Sequence, residues 1–380
     1  MTAPTVPVNL DDAVNRAILA VSEDRVQGFQ REPLTVIATL SGVALPIVVE
    51  RIRAMLAAGT IRRVRQTLLS TSLAKGALAA WNVPPERLSE AFDDLFQNDP
   101  FSGHVVIRST DADTPGSQYR LWTTLKVPQG YSLERHADHL AERIGAKSYR
   151  LMPAKRLFAL GVGHMRRRGM EPGSREDQPA EVLGTEIVRL STLQWQVLTA
   201  LKREFLPGEI VPATWDARAE EAGVSLATFY SVAEELQALG VAGRFSTFLE
   251  HVKELTTGER VTRYNALFHW AVPPGREIDA GREVGRHHII THAYWREGGP
   301  EFANVNVMAV AHGMEKDRLL EHKAAIDAHL AEAGIPVSYT NVFWGGRSEI
   351  KPSEISPSAY AAWCEANGID PATMRDANQG

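Results

Sequence analysis

Histidine and arginine recur together in short apolar segments of this sequence. Residues 103–108 read GHVVIR and residues 288–296 read HIITHAYWR, so both contain the spacing H-x-x-x-R. A third segment, MAVAHG at 308–313, carries a histidine next to a glycine. Histidine exchanges protons near neutral pH, and arginine binds carboxylates through paired hydrogen bonds. Histidine and arginine are therefore the groups through which these segments could carry out chemistry.

The apolar residues of these segments predict β-strands, which would position the polar groups. Side chains alternate between the two faces of a strand, so His104 shares a face with Arg108, and His292 shares one with Tyr294 and Arg296. Each strand would point its histidine and arginine toward one cavity. Taken singly, the two histidines would also fit half-exposed positions of an ordinary sheet.

The sequence around the motifs is duplicated. WNVPP at 81–85 returns as WAVPP at 270–274, and an H-x-x-x-R segment follows each at nearly the same distance. Each half predicts the order strand–helix–strand–strand–helix–strand of a ferredoxin-like domain, whose sheet leaves a face that can pair with a second copy. The predicted strands lie near 76–83, 104–109, 118–127 and 149–161, and near 265–272, 288–296, 302–311 and 336–343. The predicted helices lie near 85–97, 132–144, 276–285 and 315–333.

A predicted helix, at 44–59 in the first half and at 225–240 in the second, precedes each sheet. Each is followed by a predicted pair of short strands, which indicates a winged helix-turn-helix. The expected fold is α+β, a tandem pseudo-dimer of winged helix-turn-helix plus ferredoxin-like (βαββαβ) domains. The predicted domains are winged helices at 10–70 and 186–260, ferredoxin-like domains at 71–164 and 261–352, a linker at 165–185 and a C-terminal tail at 353–380.

Net charge, apolar runs and cysteine content exclude several classes of function. The chain has 380 residues and a net charge of -5, so it has no general attraction to nucleic acid. It contains no apolar run of about 18 residues and no signal-peptide pattern, so we expect a cytoplasmic location. Its single cysteine, Cys364, excludes an intrachain disulfide, a cysteine zinc site and an iron–sulfur cluster held by several thiolates of this chain.

Taken in order, the motifs resemble those of siroheme decarboxylases, which share the architecture of the leucine-responsive (Lrp/AsnC) regulators. The resemblance covers about residues 30–350. It rests on the two H-x-x-x-R strands, AHG at 311–313, RSEIK at 347–351, YRLWTTL at 119–125 and RLMPAKRLF at 150–158.

The resemblance implies a carboxy-lyase that removes ring acetates of siroheme, giving 12,18-didecarboxysiroheme for haem or haem d1 synthesis by non-radical acid–base chemistry. It implies catalytic roles for His292, His312, Arg296, His104 and Arg108, of which the first two would be an acid–base or iron-contacting pair. It implies substrate binding by Arg347, Lys351, Lys155, Arg156, Tyr119, Trp122 and Tyr294. We expect no metal site, no cofactor beyond the iron of the tetrapyrrole substrate and no membrane partner. The internal pseudo-dimer leaves a further homodimer open.

Two other functions fit the same architecture. An Lrp/AsnC-type DNA-binding regulator would use basic residues of the first winged helix for phosphate contacts, namely Arg51, Arg53, Arg62, Arg63 and Arg65. The corresponding second helix carries Glu234 and Glu235 and no basic residue between 225 and 240, so it is a poor surface for DNA. A non-catalytic haem or tetrapyrrole carrier would use the same pocket without turnover.

Overall fold

Residues 6–69, 72–160, 169–250, 255, 258 and 261–376 are described by the computed structural model. In chain order they form α1 (Ala13–Ser22), α2 (Pro33–Ser41), α3 (Leu45–Ala57), β1 (Ile61–Leu68), β2 (Ala74–Asn82), α4 (Leu88–Asn98), β3 (Ser102–Ser109), β4 (Leu121–Pro128), α5 (Leu133–Ile144), β5 (Ser148–Leu160), α6 (Thr192–Leu201), α7 (Asp216–Glu221), α8 (Leu226–Ala238), β6 (Ala242–Leu249), β7 (Tyr264–Ala271), α9 (Glu277–Gly285), β8 (Ile290–Arg296), β9 (Val307–Gly313), α10 (Lys316–Glu332), β10 (Tyr339–Ile350) and α11 (Pro357–Ala366).

The chain divides into two units, each built from separate stretches of sequence. The first contains Met1–Ser70, Gly161–Gly169 and Val188–Arg263, and the second contains Thr71–Leu160, Met170–Ile187 and Tyr264–Gly380. The basic run 166–168 of the predicted linker lies outside the described residues.

The first unit consists of helices and one small sheet. The two predicted helices are present: α3 ends before Gly59, whose φ of 80° is left-handed, and α8 is capped by Ser225, whose hydroxyl accepts the Thr228 amide at 3.1 Å. The expected pair of short strands in each half is wrong. Among the described residues each half contributes one strand, and β1 pairs with β6 antiparallel because each satisfies the other's backbone groups.

No single described helix is long and apolar enough to span a bilayer. The adjacent helices α2 and α3 together reach that length and composition, but they meet at a bend of 106°.

Eight described strands of the second unit close into an antiparallel barrel in the order β10-β3-β4-β2-β5-β8-β9-β7. When the four strands of each half are numbered along the chain, they lie side by side in the order second, third, first, fourth. The halves join through the pairs β5–β8 and β10–β3. The expected contact between sheet faces is therefore wrong. The edges pair instead, because closure leaves no edge strand with unpaired N–H and C=O groups.

The strands and helices predicted for this unit are all present, displaced by a few residues. The largest difference is β10, which continues to Ile350 instead of ending near residue 343. Its first part pairs with β7 and its second part with β3, so the extension is what closes the barrel. The expected mixture of helix and sheet is confirmed.

Alternation along the strands separates an outer core from an inner one. In β7, Phe268 and Trp270 pack outward against α9 and α10, whereas Leu267 and Ala271 point inward. On the other half, α4, α5 and α11 cover the outer face. The inner apolar residues, called here the interior cluster, are Ala80, Val106, Tyr119, Trp122, Met152, Leu267, Ala271, Phe302, Val305, Met308 and Phe343.

Helix α9 lies close to β5 at Gly281, so a substitution at this glycine tests the packing. A Cβ added at Gly281 would lie 2.0 Å from a ring carbon of Phe158. We expect Gly281→Ala to lower the free energy of unfolding by about 1–2 kcal/mol, since overpacking outweighs the helix propensity gained. Urea denaturation measures this, with Gly208→Ala as the control, because its added Cβ meets nothing within 4 Å. Equal urea midpoints for Gly281→Ala and Gly208→Ala would contradict the close approach of Gly281 to Phe158.

Candidate functional site

Both H-x-x-x-R strands turn their polar groups into the barrel. In β3, Val105 packs in the outer core and Val106 in the interior cluster, so His104 and Arg108 share the inner face. In β8, Ala293 packs outward, which turns His292 and Arg296 inward. Both arginines are buried, at 4% and 9% exposure, whereas the two histidines remain partly exposed.

A chain of hydrogen bonds links Arg108 of the first half to several inward groups of the second half. Arg108 Nη1 donates to Asn265 Oδ1 at 3.1 Å, and Asn265 Nδ2 lies 3.1 Å from His312 Nε2. Thr291 Oγ1 lies 3.4 Å from His312 Nδ1 and 3.0 Å from His292 Nδ1. We call Asn265, Thr291, His292 and His312 the histidine network. It is built at a bulge of β8, where the register shifts between Ile290 and His292.

The network fixes the proton positions of its imidazoles. The hydroxyl of Thr291 donates to the carbonyl of Val310 at 3.0 Å, so its oxygen accepts the Nδ1–H groups of both histidines. His312 Nε2 then accepts the Asn265 amide, which requires a neutral imidazole. His312 is thus held at both ring nitrogens, as expected for a group that orients a neighbour.

The two buried arginines lack carboxylate partners. Among the described residues neither guanidinium forms an ion pair; Arg108 also donates to the Phe343 carbonyl at 3.3 Å, and Arg296 donates to the Met152 carbonyl. Burial lowers the pKa of Arg108 to about 9. Burial also lowers the pKa of Arg296, whose guanidinium lies 4.3 Å from the ring centre of Tyr294. A buried cation without a counter-ion favours binding of an anion.

His269 is an inward residue that the sequence analysis missed. It is buried near Trp122, Phe302 and Phe343, with ring centroids 6.1, 6.3 and 5.1 Å away. Burial, aided by the charge of Arg108, lowers its pKa to about 3, so the imidazole is neutral. Alternation within FHWA places it on the inner face, opposite Phe268 and Trp270, and this signal would have identified it.

Among its described residues, the first half has no equivalent of the histidine network. His104 Nε2 lies 2.7 Å from Ser348 Oγ of β10. By strand register, the positions that correspond to Asn265 and His312 hold Gly76 and Lys126. The two duplicated motifs therefore have different surroundings.

The predicted aromatic residues of the first half serve packing. Trp122 is fully buried; its indole N–H donates to the Tyr119 carbonyl at 2.6 Å, and its ring lies 5.1 Å from that of Phe343. Tyr119 packs on Phe302 with centroids 5.2 Å apart. Their faces are covered by protein side chains.

Four predicted carboxylate anchors make other contacts. Arg347 binds Ser89 Oγ at 2.9 Å and Asp93, and Lys351 donates to the carbonyl of Phe96. Lys155 pairs with Glu297 at 2.9 Å. Arg156 is bonded to the carbonyl of Lys155 at 2.7 Å. The structure does not bring these four side chains together with the histidine network.

Several arginines expected at a DNA surface are engaged within the first unit. Arg51 pairs with Asp12 at 3.0 Å, Arg53 donates to the carbonyl of Ile210 at 2.9 Å, and Arg63 lies 3.3 Å from Glu204. Arg65 is buried with its guanidinium 5.3 Å from the Phe248 ring centre. Such contacts compete with phosphate binding, which weakens the regulator interpretation.

Known proteins resemble the chain in both sequence and structure. Residues 73–159 and 262–340 match the AsnC-like ligand binding domain. The siroheme decarboxylase beta subunit of Desulfovibrio desulfuricans is 26% identical over 125 residues, which cover 33% of this chain and 74% of that protein.

Two solved structures share the fold. One is the siroheme decarboxylase NirDL, with a TM-score of 0.63, 19% identity, and coverage of 93% of this chain and 98% of that one. The other is NirDL in complex with an iron-uroporphyrin III analogue, with a TM-score of 0.61, 19% identity and coverage of 93% and 99%. The resemblance to siroheme decarboxylases expected from the motifs is confirmed.

Thr291→Val tests the histidine network. The change keeps the side-chain shape but leaves two imidazole N–H groups without their acceptor, so we expect a loss of about 2–3 kcal/mol in unfolding free energy. Histidine ¹⁵N NMR should also show altered tautomers. The control is Thr60→Val, which removes a buried hydroxyl bonded to the Val8 carbonyl at 2.8 Å and should cost about 1 kcal/mol. Equal losses and unchanged histidine spectra would contradict the network.

Proposed function

We propose that this chain is a carboxy-lyase that removes ring acetate groups of siroheme, or of a related iron tetrapyrrole, as CO2. The observation that carries the proposal is the placement, on the inner face of one barrel, of two buried arginines that form no ion pair among the described residues and of two histidines joined through the hydroxyl of Thr291. Arg108 and Arg296 would bind carboxylates of the ring, since guanidinium groups do so in bidentate geometry. The relatives named above support this choice of substrate class.

The proposed reaction needs only acid–base groups. The bond between the acetate methylene and its carboxylate breaks, CO2 leaves, and the electron pair stays on the methylene carbon in conjugation with the macrocycle. That carbon then takes a proton and becomes a methyl group. Each decarboxylation consumes one proton, which a histidine can supply near neutral pH. The reacting carboxylate loses its charge more readily where water is excluded.

His292 is the proposed proton donor, and His312 is its positioning residue. His312 is held by Asn265 and Thr291 at both ring nitrogens, and Thr291 joins it to His292. Loss of two acetates would give 12,18-didecarboxysiroheme, which serves haem or haem d1 synthesis. No cofactor beyond the iron of the substrate enters the proposed route. The finer architecture, a helix-turn-helix plus a ferredoxin-like domain in each half, belongs to the same proposal, with the single described strand after each helix paired to that of the other half in place of a separate wing.

Anaerobic incubation of the purified protein with siroheme tests the function. We expect CO2 release and a product mass lower by one and then two CO2 units. Stable binding with unchanged mass would instead support a tetrapyrrole carrier. Salt-sensitive binding to a specific DNA sequence without turnover would support a regulator.

Variants of the two histidines test their roles. We expect His292→Gln to lower kcat by about 10²–10⁴-fold with a smaller change in affinity, because it removes the proton donor. His312→Gln should lower kcat less and shift its pH profile. His288→Gln is the control, since this nearby histidine is bonded to Ser174 and Glu176. An unchanged kcat for His292→Gln would refute its assignment.

A further inference from the structure

His269 Nε2 and Arg108 Nε, both on the inner face of the barrel, have no hydrogen-bond partner among the described residues. Their side chains are 1% and 4% exposed, so bulk water does not reach them. A buried polar group left without a partner costs about 1–3 kcal/mol, and more when it is charged. Both side chains contact Phe343: the His269 and Phe343 ring centroids lie 5.1 Å apart, and Arg108 Nη1 donates to the Phe343 carbonyl at 3.3 Å. Two unmet donors beside the same residue indicate a ligand that supplies both bonds.

The surroundings define the chemistry of that ligand. Arg108 approaches from β3 and is the charge that lowers the pKa of His269 beyond the effect of burial. The other elements around His269 contribute groups that do not titrate: Trp122 from β4, Met308 from β9, Phe343 from β10 and Phe302 from the turn before β9. A positive, hydrogen-bonding pair within apolar walls suits a carboxylate on an apolar stem.

We propose that Arg108 and His269 together bind one carboxylate arm of the substrate inside the barrel, separately from the histidine network. This inference rests on the proposed function and names a further specificity-determining residue for it. One carboxylate oxygen accepts Arg108 Nε–H, and the other accepts Nε2–H of His269. Both side chains are almost completely buried, so a narrow arm reaches them and the macrocycle stays outside.

The site is formed once in the duplicated chain. The equivalent of Arg108 in the second half is Arg296, and its guanidinium lies 4.3 Å from the ring centre of Tyr294, where the first half has Val106. By the alignment of WNVPP with WAVPP, the position equivalent to His269 holds Ala80. Because the second copy has no imidazole, the pair would select one orientation of the ring over its reverse.

Absorbance titration with iron uroporphyrin III, which carries acetate and propionate arms, tests the site without relying on turnover. We expect His269→Phe to weaken binding by about 10–100-fold, since it removes a buried hydrogen bond to a charged group. His269→Gln retains an N–H donor and should stay within about threefold of the wild type. The control is His287→Gln, at a buried histidine that is bonded to His329 instead and should bind normally.

The comparison of two variants separates a direct contact from a structural effect, because both replace the same buried ring but only Gln keeps an N–H donor. A His269→Phe variant that folds and binds within twofold of the wild type, or a His269→Gln variant that binds as weakly as His269→Phe, would overturn the inference while leaving the proposed function intact. If His269→Phe does not fold, His269→Leu takes its place with the same expected outcomes. Failure of the wild type to bind would refute both proposals.

Discussion

The burial of two guanidinium groups without counter-ions is the constraint on which this site depends. Removing a charge from water is costly, and the described structure offers Arg108 and Arg296 carbonyl and amide oxygens and the ring of Tyr294 in return, but no carboxylate. A hydrophobic pair at these positions would pack at lower cost. In the proposed function, carboxylates of the substrate would supply the missing counter-charge, and part of their binding energy would come from it.

Closure of the barrel is what turns local patterns into a shared interior. Alternation alone decides which residues of β3 and β8 face together, but it does not decide whether the two inner faces meet. The pairs β5–β8 and β10–β3 bring them into one enclosed space. Once the strands close, Asn265 on β7 can bridge Arg108 of one half and His312 of the other.

The sequence therefore predicts part of this arrangement and not the rest. The strands, helices and inward faces of both H-x-x-x-R segments follow from short-range periodicity, and the structure has them. Edge pairing does not follow, because it depends on the register between distant strands. The inward face of His269 also follows from its alternation with Phe268 and Trp270, although it lies outside both motifs. The predicted anchors Arg347 and Lys351 lie near the end of β10, where its extension pairs with β3 and their side chains contact α4.

Duplication followed by divergence explains why two similar motifs have unequal surroundings. Both halves keep a histidine and an arginine on the second strand, yet the second half alone adds Asn265, Thr291 and His312 around its histidine. At the matching places the first half has Gly76, Gly103 and Lys126. Two identical sites would hold an unsymmetrical ring in two opposed orientations with equal free energy. Unequal sites lower the free energy of one orientation, and in the proposed function this difference would determine which acetate reaches His292.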